Sequence, residues 1–130
     1  MSNYFEYYNA NPKGLNVGDC VKRAISKASN ISYRDVSLAL NRYKKVTGAS
    51  KFNSNENYKN YLTEVLHAKK ETYQAIKGED RMSGYTFAKT HPTGRYVLRM
   101  ARHLTACVDG VIYDTWNCLG KCVYMSWRLD

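Results

Sequence analysis

The sequence predicts an α+β fold, with helices first and antiparallel strands last, and two observations carry that prediction. Through the first two thirds of the chain apolar side chains recur at i, i+3, i+4 and i+7, the stripe of a helix buried along one face. From Arg95 onward the apolar residues fall into short strand-like runs, two of them joined by Asp109-Gly110, a dipeptide that readily takes the positive φ angles of a tight hairpin turn. Runs of helices followed by runs of strands form an α+β domain, here N-terminal helices packed on a C-terminal antiparallel sheet.

Residues 1–16 are rich in Tyr and Asn and read as an irregular arm whose aromatics pack on the body of the domain. A first helix begins after Gly18-Asp19, with Val21, Ala24, Ile25 and Ala28 inward and Asp19 as its N-cap. Cys20 then lies in the first turn, where unpaired backbone N–H groups and the helix dipole favour a thiolate. Ser32 to Asp35 has capping-box spacing and opens a second helix to about Lys45, with Val36, Ala39, Leu40 and Tyr43 inward and Gly48 as its stop. A polar loop at 48–56 leads to a third helix marked by Tyr58, Tyr61, Leu62, Val65 and Leu66, with His67 a solvated residue at its end. Residues 68–82 carry no clear pattern beyond a turn at Gly78. Ser83 to Thr90 reads as a short helix closed by His91-Pro-Thr-Gly94, in which His91 is a surface residue. The strands are Tyr96–Met100, the two arms of the hairpin, and Lys121–Trp127. No internal repeat or low-complexity tract interrupts this order.

A chain of 130 residues, 44% hydrophobic and with two prolines, fits one domain spanning 1–130. No apolar run approaches a membrane span and the first residues lack the features of a signal peptide, so a cytoplasmic protein with no membrane partner is expected. Four cysteines, at 20, 107, 118 and 122, form no CxxC pair, and in a reducing compartment they stay thiols. Cys118 and Cys122 with His103 match no common zinc spacing, so neither metal nor cofactor is expected. Twenty Lys and Arg against eleven Asp and Glu give +9, concentrated in 21–51 (eight basic, one acidic) and 81–102 (five basic, none acidic). Such a surface attracts nucleic acid or an acidic partner, although positive charge by itself mostly reports solubility.

The turn sets the hairpin register. With Val108 opposite Val111, paired positions sum to 219, so Thr105 faces Asp114 and His103 faces Trp116. Alternation puts His103, Thr105, Cys107, Ile112, Asp114 and Trp116 on one face, with His103 and Asp114 as diagonal neighbours. Their Cβ atoms would be roughly 7–8 Å apart, a gap the two side chains can close with a hydrogen bond.

Cysteine nucleophiles need a thiolate, a base that moves the proton and a group that orients the base. Cys20, His103 and Asp114 supply these types in that chain order. Each also has a plainer reading: the cysteine as a small buried hydrophobe, the histidine as a satisfied strand residue, the aspartate as a turn or cap. It is their conjunction that favours catalysis.

The order Cys, His, Asp on a helix and two neighbouring strands resembles the papain-like cysteine peptidases. Asp114-Thr115-Trp116 is similar to the Asn-Ser-Trp of that superfamily, and Gly18-Asp19-Cys20-Val21 is similar to its nucleophile segment. The likeness covers about residues 14–30 and 94–127. It implies a papain-like fold and a thiol hydrolase acting on a peptide or isopeptide amide, with Cys20, His103 and Asp114 as its catalytic triad and Trp116 shielding the His–Asp bond. The superfamily's oxyanion-donating glutamine before the cysteine is missing, since Gln74 is the sole glutamine; Asn16 or Asn11 is the substitute, assisted by the Cys20 backbone N–H, with Asn16 preferred. A transglutaminase-like acyltransferase would use the same three groups. A different class of function is a binding module without activity, in which Tyr33-Arg34 and Arg42-Tyr43-Lys44-Lys45 stack on bases and hold phosphates. The size and lack of a targeting segment suit a phage or bacterial accessory protein.

Overall fold

A computed structural model describes residues 4–15, 18–47 and 55–130. The chain is α+β, built on a six-stranded sheet. In chain order the elements are β1 (Phe5–Tyr7), α1 (Cys20–Ser29), α2 (Tyr33–Thr47), α3 (Asn55–Asn60, continued by a π-helical turn over Tyr61–Val65), β2 (Lys69–Thr72), α4 (Gly84–Thr90), β3 (Arg95–Met100), β4 (His103–Val108), β5 (Val111–Asp114) and β6 (Met125–Arg128). The strands lie side by side in the order β1-β5-β4-β3-β6-β2. Among the described residues no helix is long and apolar enough to cross a membrane.

The hairpin has the register that its turn predicts: Val108 pairs with Val111, Cys107 with Ile112 and Ala106 with Tyr113. Asp109 and Gly110 both take positive φ, +49° and +77°, the backbone that a two-residue turn needs to follow the twist of its strands. A second tight turn, with Arg102 at φ +53°, joins β3 to β4 by pairing Met100 with His103.

The sheet is covered on both faces. Val21, Ala24, Ile25 and Ala28 of α1 join Val36 and Leu40 of α2, Tyr58, Tyr61 and Leu62, and the sheet residues Val97, Leu104, Ala106 and Trp127 in one core. Phe87 and Ala88 of α4 close a second core over Tyr96, Leu98, Met100, Cys107 and Ile112. The small side chains Ala24, Ala28 and Ala106 let α1 lie close on β4. Ser83 caps α4, accepting from the Thr86 N–H, and Ser32 accepts from the Asp35 N–H at the start of α2.

Several expectations are corrected. The sheet is mixed, and two of its strands come from outside the C-terminal region. Phe5–Tyr7 belongs to the arm read as irregular, yet runs parallel to β5, with Phe5 opposite Ile112 and Tyr7 opposite Asp114. Three residues pairing with a strand a hundred positions away leave no local pattern to read. Lys69–Thr72 adds to β6 as an exposed edge strand, and its Lys-Lys-Glu sequence hides strand character while protecting the edge from further pairing. The third helix starts at Asn55, inside the stretch read as loop, and leaves Val65 exposed because the wider turn rotates it off the buried face. The last strand is shorter than expected, with Cys122 making only an isolated bridge to Ser83. Asp19 occupies the N-cap position without capping through its side chain. The expected stop at Gly48 lies outside the described residues.

At the C-terminal end of α1, Arg95 donates from Nε to the Ala28 carbonyl (2.7 Å) and from Nη2 to the Lys27 carbonyl (2.8 Å), placing a cation on carbonyls that the helix leaves unpaired. Arg95→Ala should lower the free energy of unfolding by about 2 kcal/mol, the usual cost of losing charge-assisted bonds to buried acceptors. Urea titration checks this, and an unchanged midpoint would show that α1 is held by its apolar face alone.

Candidate active site

Cys20 is the first residue of α1, His103 the first of β4 and Asp114 the last of β5. The residues that start and finish these elements meet at one end of the sheet, and Cys20 and His103 line the same open cleft. By parity His103 follows Cys107, whose side chain belongs to the core under α4. At the strand's end, however, the imidazole reaches both Asp114 and the thiol at the mouth of α1.

His103 Nε2 and Asp114 Oδ2 are 2.6 Å apart, a short charge-assisted bond between side chains that are 7% and 4% exposed. Asp114 Oδ1 accepts from the Thr115 N–H at 2.7 Å. Burial alone would raise the Asp114 pKa, but the His103 hydrogen bond, the buried Thr105 hydroxyl, the His103 charge and the Thr115 N–H outweigh it and hold the carboxyl below its ordinary range. Thr105 Oγ1 makes no fully aligned hydrogen bond among the described residues. Burial would likewise lower the His103 pKa, yet hydrogen bonds to Asp114, Cys118 and Cys20, with the Asp114 charge, push it up to about 11. Burial opposes ionisation of Cys20, but hydrogen bonding to His103 and to the Leu104 backbone, with the charges of His103 and Arg23, brings its pKa below that of a free thiol. The site therefore places a thiol that ionises more readily than a free one beside an imidazole that holds its proton more tightly than a free one. Cys107, buried without such partners, is instead pushed up to about 12.

Trp116 lies against His103, with ring centroids 4.8 Å apart, and is 42% exposed, so it stands between the imidazole and solvent. Asn16 lies outside the described residues. His91 stacks on Phe87, ring centroids 3.7 Å apart, and donates from Nδ1 to the Phe87 carbonyl (2.8 Å), and exposed His67 lies away from the cleft lining.

Three residues absent from the sequence-based site belong to it. Arg23, counted among surface cations, is buried. Its Nη1 pairs with Asp19 Oδ1 at 3.0 Å and its Nη2 stands 3.9 Å from Asp114 Oδ1. Asp19 also accepts from Asn11 Nδ2 (3.0 Å) and the Tyr33 hydroxyl (2.7 Å), which is why it does not cap its helix. The i, i+4 spacing of Asp19 and Arg23 was the available signal. Cys118, read from the sequence only as a reduced thiol, is fully buried with its Sγ 3.6 Å from Asp114 Oδ2. His103, Asp114 and Cys118 bring potential ligand atoms within 4.8 Å of one another, a set without Cys122. A metal there would have to displace the 2.6 Å hydrogen bond that orients His103.

No family model matches the chain, and neither a curated protein nor a solved structure matches it significantly.

The two displaced pKa values act on stability in opposite senses. His103 is raised from 6.5, so its contribution is complete below pH 6.5 and is lost as pH climbs toward 11. Cys20 is lowered from 9.0, so its contribution grows as pH rises toward 9 and is lost as pH falls through its folded value. Between pH 6.5 and 9, wherever the pH also exceeds the folded Cys20 value, the folded chain holds one extra proton on His103 and one fewer on Cys20, and the slopes cancel. Wild-type unfolding free energy should thus be level in that window, whereas Cys20→Ala should decline steadily above pH 6.5. Urea unfolding at half-unit pH steps measures both, and parallel curves would contradict the ion pair.

Proposed function

We propose that this protein is a papain-like thiol hydrolase, cleaving a peptide or isopeptide amide through an acyl-enzyme in the cytoplasm. One observation carries the reading: a cysteine at a helix start, its pKa lowered, shares an open cleft with a histidine bound at 2.6 Å to a buried aspartate. The Cys20 thiolate attacks the carbonyl carbon and forms the C–S bond. The tetrahedral oxyanion collapses as the imidazolium of His103 gives its proton to the departing amine and the C–N bond breaks. Water then attacks the thioester, neutral His103 takes its proton, and release of the acid restores the thiolate and imidazolium. Neutralising the thiolate by acylation removes a charge that held the His103 proton, so the acid weakens its grip when the leaving group needs that proton.

In this reading Asp114 fixes the tautomer and orientation of His103, and Trp116 keeps water off their bond. The oxyanion donors are the Cys20 backbone N–H and Asn16. Transfer of the acyl group to an amine instead of water would use the same groups. The base-stacking alternative draws less support, because the tyrosines it relies on are engaged: Tyr33 donates to Asp19 and Tyr43 to Glu64.

Iodoacetamide should alkylate Cys20 at pH 7 roughly ten times faster than an ordinary thiol, of which only a few per cent is ionised there. His103→Ala should bring the rate down to the ordinary value and move its pH midpoint up, and Asp114→Asn should do so in part. Cys20→Ala should abolish amide cleavage. An alkylation rate indifferent to pH and to His103 would sink the proposal.

A further inference from the structure

The cleft beside the nucleophile has a volume of about 300 Å³ and is walled by Gly18, Cys20, Val21, Tyr58, Arg99, Arg102, His103 and Leu104. Two guanidinium groups and no carboxylate stand in that wall. Among the described residues neither Arg99 nor Arg102 has an ion-pair partner, although four pairs form elsewhere around Arg23, His103 and Arg128. Arg99 is half-buried on β3, and Arg102 is exposed in the turn just before His103. The charge of Arg99 bears on Tyr58, which the Cys20 charge also reaches, and on Lys59, whose pKa falls from burial and then from the repulsion of Arg99 and Lys70. The Arg99 and Cys20 charges thus both bear on the same cleft residue, Tyr58. A cleft whose wall carries charge of one sign concentrates ligands of the opposite one.

We propose that the cleft selects substrates by a carboxylate side chain on the acyl side of the scissile bond, bound by Arg99 and Arg102. The inference rests on the hydrolase reading for its chemistry. The acyl side is chosen because the wall carries the nucleophile with its chain neighbours Gly18 and Val21; it also carries His103, so the probes below vary the acyl-side group alone. Trp116, beside the imidazole that protonates the amine, is not part of this wall.

The test uses two peptidyl chloromethyl ketones that differ only in glutamate or glutamine next to the electrophilic carbonyl. They are reacted with the full chain at pH 9, where a thiol ionises even without a partner. The Glu probe should label Cys20 about tenfold faster than the Gln probe at low salt, with the ratio shrinking as salt rises. Arg99→Gln/Arg102→Gln should bring the ratio to about one, whereas Arg99→Lys/Arg102→Lys should retain a preference for Glu. Folding is checked by circular dichroism, and Arg102→Gln alone decides if the double variant does not fold, because Arg102 lies in an exposed turn. Equal rates for the two probes in the wild type, or a preference that survives removal of both cations, would overturn the proposal. The iodoacetamide measurement above reads the hydrolase separately: a reactive, His103-dependent Cys20 with no Glu preference removes the acidic specificity alone. A Glu preference on an unactivated thiol supports the anion-binding cleft and removes the hydrolase.

Discussion

A carboxylate buried at the end of a strand has to be kept charged, and much of this molecule is arranged around that requirement at Asp114. Taking a carboxylate out of water costs several kcal/mol unless its lone pairs and charge are met. Here Oδ1 receives the Thr115 N–H and stands near Arg23, while Oδ2 meets His103 and the Cys118 thiol. The same contacts that keep Asp114 ionised raise the affinity of His103 for its proton. That proton, in turn, holds down the pKa of Cys20. The three displaced pKa values are one linked effect, and its source is a single desolvated charge.

The geometry requires α1 to sit at a fixed height on the sheet. Its alanines allow close approach to β4, but an apolar face slides readily along its axis. Both ends are therefore fastened by charge: Arg23 is held between Asp19 and Asp114 at the mouth, and Arg95 donates to the last carbonyls. Arg23 belongs to α1 and Asp114 to β5, so this contact ties the nucleophile's helix to the strand that orients the base. A shift of one helical residue, about 1.5 Å, would be enough to take Cys20 out of reach of His103.

The cysteines show how far environment decides chemistry. Cys107 and Cys118 are both fully buried, and Cys20 is half-buried at a cleft. Burial without a cation drives the Cys107 thiol up to about 12, whereas Cys20, with the charge of His103 beside it, moves the other way. Formal net charge of +9 explains neither. What matters for Cys20 is the cations beside it, His103 and Arg23.

Asp109-Gly110 and the alternation around it determined the hairpin register, and with it the meeting of His103 and Asp114, because a two-residue turn dictates pairing by local backbone geometry. The stripes of α1 and α2 and the Ser32 cap were legible for the same reason: each is a pattern within a few residues. The tertiary structure alone decided that Phe5–Tyr7 runs beside β5, that Lys69–Thr72 is a strand, that Arg23 is buried and that Cys118 points at Asp114. Each of these depends on which distant segment fills the remaining space or satisfies a charge. Periodicity reports the face a residue turns toward the core; only the packed chain settles what it meets there.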